Sequence, residues 1–280
     1  MGNGATDWEI DSSPSFPQVL SNFNIIPPRL LKNYTINNCH FYFRNVKQPS
    51  PDNPICNLLW NQINDLWQGL NWYDLFRKVS PQTNQLNTVS ETIDALARER
   101  TVKIGDEIKT YKAGFTFQEY IGWVGQMSIY QAQQPLIGVY LSDYVNRADV
   151  RNALNIPDSV QAWSMCSSEV SANYHLQAEA SLWIYKIFLQ NNYTMLFYSG
   201  DTDGAIPTYG SRKWIESLKL NIKTPWRSWN TNGQVSGYQI NYEGGLDFAT
   251  VHGAGHFAPM WKREEMTKLF TNWIHGEPTI

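Results

Sequence analysis

The residues Met195-Leu196-Phe197-Tyr198 form an unbroken apolar run that ends at once in Ser199-Gly200-Asp201-Thr202-Asp203-Gly204. A short apolar run without polar alternation suits a strand buried on both faces, and such strands belong to parallel sheets covered by helices. The neighbouring sequence supplies candidate helices. Ser181–Leu189 and Arg212–Leu220 carry helical spacing, and a last amphipathic segment puts Met266, Leu269, Phe270, Trp273 and Ile274 on one face. Val235–Tyr242 and Asp247–Val251 flank Gly244-Gly245 and read as a hairpin leading into Gly253-Ala254-Gly255-His256. Strands and helices in this alternation predict an α/β fold.

The first half reads differently. Gly2-Asn3-Gly4 followed by Asp7 is turn chemistry, so the chain is expected to open where a strand has just ended. From Phe16 to Leu136, irregular polar stretches such as Gln48-Pro49-Ser50-Pro51-Asp52 mix with helical pieces, which reads as an insertion. Within it, Thr88-x-x-Glu91 and Thr116-x-x-Glu119 have capping-box spacing ahead of Ile93, Leu96, Ile121 and Val124, and each predicts a helix start. Tyr144–Leu154 predicts another helix, stopped by Pro157.

Composition excludes several classes of function. The 22 basic and 25 acidic side chains leave a net charge of −3 with no long run of one sign, which offers neither a nucleic-acid footprint nor a polybasic membrane patch. No stretch approaches the ~20 apolar residues of a membrane span, and the first residues lack the pattern of a signal peptide. Met1, Gly2 and Thr6 formally match a myristoylation pattern, but a motif with so many free positions is read as chance. A small-molecule or peptide substrate fits better, and the 12 Trp, 15 Tyr and 12 Phe suit a cleft as well as a core. Three cysteines, Cys39, Cys56 and Cys166, are too few for a disulfide scaffold and lack C-x-x-C metal spacing; no cofactor or metal is expected. The sequons Asn33-Tyr-Thr and Asn192-Tyr-Thr would be glycosylated only in a secretory compartment.

In open α/β sheets functional side chains sit on loops leaving the carboxyl ends of strands, and both the aspartates after Tyr198 and His256 fall there. A histidine that takes a proton from a serine needs a carboxylate to fix its tautomer and stabilise the imidazolium. An Asp before a His also follows the α/β-hydrolase order of Ser, then Asp, then His. Spacing alone leaves Asp201 and Asp203 equally placed. The Ser is missing, because no G-x-S-x-G elbow or near variant occurs. His40, His175, His252 and His275 are read as structural.

Longer motifs carry a family resemblance. Phe197-Tyr198-Ser199-Gly200-Asp201-Thr202-Asp203 and Thr250-Val251-His252-Gly253-Ala254-Gly255-His256-Phe257-Ala258-Pro259 resemble the Asp and His regions of the serine carboxypeptidases, peptidase family S10. Gly2-Asn3-Gly4-Ala5-Thr6-Asp7 resembles the family's G-N-G-x-T-D, and Asn71-Trp72-Tyr73-Asp74 its N-x-Y-D-I. Tyr144-Val145-Asn146 through Ala153-Leu154 resembles its Y-L-N helix, and Trp163-Ser164-Met165-Cys166-Ser167 its W-x-x-C-S. These pieces stand in family order along nearly the whole chain.

The resemblance implies an α/β-hydrolase fold, of which this chain is the C-terminal part, with residues 1–15 and 137–280 as core and 16–136 as a large, mainly helical cap. It implies Asp203 and His256 as catalytic residues, with Asp201 structural. The implied activity is removal of C-terminal residues from peptides through an acyl-enzyme, whose serine lies in an upstream half. This chain alone is therefore expected to be inactive. Two alternatives keep the scaffold: an acyltransferase or lyase, or a non-catalytic truncated homologue. The family also implies a secreted or lysosomal/vacuolar location. Cys39 and Cys56, within the insertion, are expected to form a disulfide, with two free thiols as the alternative. Cys166 is expected to be unpaired here, because its family counterpart bonds to a cysteine further upstream. Substrate preference and oligomeric state are not readable.

Overall fold

The computed structural model describes residues 1–41, 48–77, 99–104, 107–112, 142–164, 167–175 and 180–277. It divides into two compact units, Met1–Arg77 with Ala178–Ile280, and Lys78–Gln177. In chain order the first unit opens with α1 (Phe16–Asn22), α2 (Pro28–Ile36) and α3 (Pro54–Trp67). The second unit holds β1 (Glu99–Ile104), β2 (Glu107–Lys112), α4 (Ala148–Ala153) and α5 (Ser168–Asn173). The first unit resumes with α6 (Leu182–Gln190), β3 (Met195–Gly200), α7 (Thr208–Ser217), β4 (Ile222–Thr231), β5 (Gln234–Tyr242), β6 (Leu246–Val251), α8 (Ala258–Trp261) and α9 (Arg263–His275).

The sheet of the first unit runs β3-β6-β5-β4. β3 and β6 are parallel, in register from Met195 opposite Leu246 to Gly200 opposite Val251. β5 returns antiparallel to β6 through a turn in which Gly244 and Gly245 take φ of 87° and 95°. On the other edge of β3, Gly2 forms a parallel bridge to Tyr198, whose N–H donates to Met1 O at 2.9 Å and whose O accepts from Asn3 N–H at 3.0 Å. The apolar run of β3 is buried from both sides. Leu196 and Tyr198 join Trp229, Ala249, Val251, Met266 and Leu269 beneath α9, while Met195 and Phe197 join Tyr185, Trp214, Ile215, Leu246 and Phe248 beneath α6 and α7. Alternate side chains of a strand point to opposite faces, so an all-apolar strand needs helices on each.

Several elements differ from expectation. β4 is absent from the sequence reading because Pro225 breaks its pattern; as the outermost strand it tolerates a proline, and its register shifts around that residue. The Arg212–Leu220 helix begins earlier, at Thr208, and ends at Ser217. Ile274 is 69% exposed rather than part of the buried face of α9, because at about 100° per residue it lies roughly 140° around the helix from Leu269. The Tyr144–Leu154 helix is broken at Asn146. That side chain donates to Trp163 O at 2.8 Å and accepts from Trp163 N–H at 2.7 Å, and Arg147 caps α4 in an extended conformation. The segment expected to be mainly helical also contains the antiparallel β1–β2 hairpin, whose Thr101, Val102, Ile108, Thr110 and Tyr111 are strand formers. The helix starts expected near Thr88 and Thr116 lie outside the described residues.

Near α1, Phe16, Trp67 and Trp72 form a buried aromatic group with ring centroids 4.2 to 5.3 Å apart. Cys39, which follows α2, and Cys56, on α3, form a disulfide with Cα atoms 5.3 Å apart and a sequence separation of 17. α3 is independently started by Asn53, whose side chain accepts from Ile55 N–H and Cys56 N–H. No helix among the described residues is long and apolar enough to cross a membrane. Cross-linking a loop of this length removes unfolded-state entropy worth ~3 kcal/mol. Replacing both cysteines by serine is expected to lower unfolding stability by about that amount, read from urea denaturation of the two proteins.

Candidate active site

Because β3 and β6 run parallel and end level with each other, with Gly200 opposite Val251, the chain leaves both strands side by side. The two loops interlock at once: Asp201 N–H donates to Val251 O at 3.1 Å and Thr202 N–H to Ala254 O at 3.0 Å. Gly200 is obligatory here, since a Cβ on it would sit 2.2 Å from the carbonyl oxygens of both Ala254 and Gly255.

Asp203 and His256 meet at this junction. Asp203 Oδ2 lies 2.9 Å from His256 Nδ1. The same oxygen accepts from Asn3 Nδ2 at 2.6 Å, while Oδ1 accepts from Ala205 N–H at 2.8 Å and Ile206 N–H at 3.1 Å. Asp203 is only 1% exposed, and a carboxylate so buried is tolerable because each oxygen has two donors. Asp203 Oδ2 is an acceptor, so Nδ1 carries the proton and Nε2 is left with a lone pair. Among the described residues Nε2 has no hydrogen-bond partner. Burial disfavours the charged imidazole, but the negative charge of Asp203 and its hydrogen bond outweigh that, and the pKa of His256 lies above its ordinary 6.5.

Asp201 does not share this contact. It faces the exposed His252, with Oδ2 2.7 Å from Nδ1, and accepts from Gly253 N–H at 2.8 Å. An aspartate one residue past a strand end thus ties the two loops together, while the aspartate two residues later reaches the buried histidine.

A third loop, Asn71–Arg77, locks the pair. His256 N–H donates to Tyr73 O at 2.7 Å, Gly204 N–H to Trp72 O at 3.0 Å, and Leu75 N–H to Thr202 O at 2.9 Å. The buried Asp74 accepts from Thr202 Oγ1 at 2.8 Å and pairs with Arg77 Nε at 3.3 Å, and that guanidinium stacks 4.2 Å from the Trp261 ring. Tyr73 and Phe257 flank the imidazole, with ring centroids 5.3 and 5.4 Å away. Residue-by-residue reading assigned no role to Asn3, Asp74, Thr202 or Tyr73. Their only signal was membership of the family-like segments Gly2–Asp7, Asn71–Asp74 and Phe197–Asp203.

Of the other sequence candidates, Asn33 is exposed on α2, and Asn192 is exposed in a turn with φ of 57°. Cys166 lies outside the described residues.

A mixed sheet with helices on both faces, carrying an Asp and a His on adjacent strand-end loops, is the C-terminal sheet region of an α/β-hydrolase fold. Structural comparison agrees: a prohormone-processing carboxypeptidase from Saccharomyces cerevisiae superposes with a TM-score of 0.59 over 97% of this chain and 53% of its own, at 15% sequence identity. The sequence profile of the serine carboxypeptidase family matches residues 1–276, and the chain belongs to that family. It is similar to serine carboxypeptidase-like 33 of Arabidopsis thaliana, 36% identical over 156 residues that cover 55% of this chain and 33% of the relative. Serine carboxypeptidase 1 of Hordeum vulgare is 35% identical over 136 residues, 48% of this chain and 27% of the relative. The matched stretches of this chain cover about a third of the length of these curated relatives.

The raised pKa of His256 has a linkage consequence. The folded state holds this proton more tightly than the unfolded state does, so the contribution is complete below about pH 6.5 and is lost as pH rises through the folded-state value. The stability difference between the protein and its Asp203→Asn variant should therefore be larger at pH 5 than at pH 9, as read from urea midpoints at the two pH values.

Proposed function

We propose that this chain supplies the base and its orienting carboxylate to a serine carboxypeptidase that releases C-terminal residues from peptides. The observation that carries the reading is the 2.9 Å contact between Asp203 Oδ2 and His256 Nδ1, which leaves Nε2 free to accept a proton. Membership of the serine carboxypeptidase family supports the reaction class.

In this mechanism a serine hydroxyl gives its proton to His256 Nε2 as its oxygen bonds to the carbonyl carbon of the last peptide bond. The imidazolium is held between Asp203 and the flanking rings. It returns the proton to the leaving amino group as the C–N bond breaks, which frees the C-terminal residue and leaves an acyl-enzyme. Water, deprotonated by the same nitrogen, then hydrolyses the ester. We read the nucleophile as belonging to sequence outside these 280 residues, because no serine here stands in an elbow motif and the matched stretch covers only 33% of serine carboxypeptidase-like 33. Residues 16–136 are read as the cap insertion of that enzyme.

A secreted or lysosomal/vacuolar location is part of the proposal. The Cys39–Cys56 bond supports it, since disulfides persist in oxidising compartments, and the exposed sequons at Asn33 and Asn192 are available for glycosylation there.

Asp203→Asn in an enzyme that contains the nucleophile is expected to lower kcat by about 10⁴-fold while leaving the fold intact, because the amide favours the wrong imidazole tautomer. Retention of wild-type turnover by that variant would sink the assignment. Residues 1–280 expressed alone should release no C-terminal residue from a blocked dipeptide. Turnover blocked by a serine-directed phosphonylating reagent would overturn this, and the labelled residue would identify a nucleophile within the chain.

A further inference from the structure

Asn3 is buried beside the end of β3. The residue is 4% exposed, and its backbone has φ of 40°, in the left-handed region that asparagine tolerates better than most residues. Three polar groups of this residue converge on the end of β3. Its N–H donates to Tyr198 O at 3.0 Å, its Oδ1 accepts from Gly200 N–H at 3.4 Å, and its Nδ2 donates to Asp203 Oδ2 at 2.6 Å. That carboxylate oxygen is the one facing His256 Nδ1.

We propose that Asn3 is a positioning residue for the candidate base: its amide fixes the carboxylate of Asp203 in the orientation that meets His256 and draws off part of its negative charge. The proposal rests on the Asp203–His256 reading above. The geometry gives it physical content. Oδ1 is pinned by two backbone N–H groups of its own turn, which fixes one oxygen but not the tilt of the carboxylate about that point. Asn3 supplies the second fixed donor, from a different part of the chain, so that Oδ2 is not held by the imidazole alone.

A donor on Oδ2 also weakens the pull of the carboxylate on the imidazolium. A base that must release its proton in every cycle works best with a pKa near the working pH, and an unshared buried carboxylate would push His256 further above it. Deleting the amide should therefore raise the pKa of His256, which purely structural damage would not do in a defined direction.

The experiment is an NMR titration of the His256 imidazole in the 280-residue protein, its resonances assigned by their loss in His256→Gln. Asn3→Gly removes the amide and fits the positive φ, whereas Asn3→Ala removes the same amide but strains the backbone. Both should raise the His256 pKa by the same amount, about half a unit or more, and should differ from each other only in stability. Should Asn3→Ala not fold, Asn3→Gly carries the test. A wild-type titration in Asn3→Gly, or a shift confined to Asn3→Ala, overturns the proposal, because the residue then acts through its backbone alone. Asp203→Asn separates this from the reading beneath it. A fall in the His256 pKa of that variant upholds the Asp–His pairing whatever Asn3 does, and an unchanged value removes the pairing itself.

Discussion

The parallel pairing of β3 with β6 is the interaction on which the candidate site depends. Two strands that run in the same direction and end level deliver their following loops to one place, and here the last paired residues are Gly200 and Val251. Asp203 follows the first by three positions and His256 the second by five, so neither loop has to travel to meet the other. The absence of a side chain at Gly200 lets the backbone of Ala254 and Gly255 pass directly over it, which brings His256 down to the carboxylate. An antiparallel arrangement of the same strands would have put the two residues at opposite ends of the sheet.

Burial then makes the geometry specific. The Asp203 carboxylate is withdrawn from water, and a buried charge with missing donors would be costly enough to shift or neutralise it. Its donors come from Asn3, from the Ala205–Ile206 turn and from His256, so one carboxylate ties together three separated stretches of chain. Asp74 does the same one layer out, joining Thr202 to Arg77 and through that guanidinium to Trp261. A third carboxylate, Asp11, holds the start of the chain by accepting from Thr6 N–H at 2.7 Å and Asp7 N–H at 3.0 Å. Burial pushes its pKa up to about 7, against the lowering effect of those two backbone hydrogen bonds.

The two Asp–His pairs show how position divides similar chemistry. Asp201 and His252 stand one residue past the strand ends, partly in solvent, and form a link across the two loops. Asp203 and His256 stand deeper, with the carboxylate fully enclosed and the imidazole 27% exposed, which is the combination a proton-transferring base requires. Donor type and distance are nearly the same in both pairs, and burial separates a surface link from a candidate catalytic pair.

The sequence by itself determined the elements that depend on local pattern. The unbroken run at Met195–Tyr198 specified a doubly covered strand, Gly244-Gly245 specified the turn of the hairpin, and the stripe of Met266, Leu269, Phe270 and Trp273 specified the face of the last helix. Family-like motifs raised Asp203 over Asp201, a choice that spacing alone left even. Patterns failed where a distant partner decides the outcome. β4 carries a proline that only an outer strand accepts, and the helix around Asn146 breaks because its side chain binds the backbone of Trp163. Asn3 and Asp74 look like ordinary turn residues until the sheet brings the ends of β3 and β6 together. Their partners lie 200 and 128 positions away in the chain, a separation at which local periodicity carries no information and only tertiary packing assigns the contact.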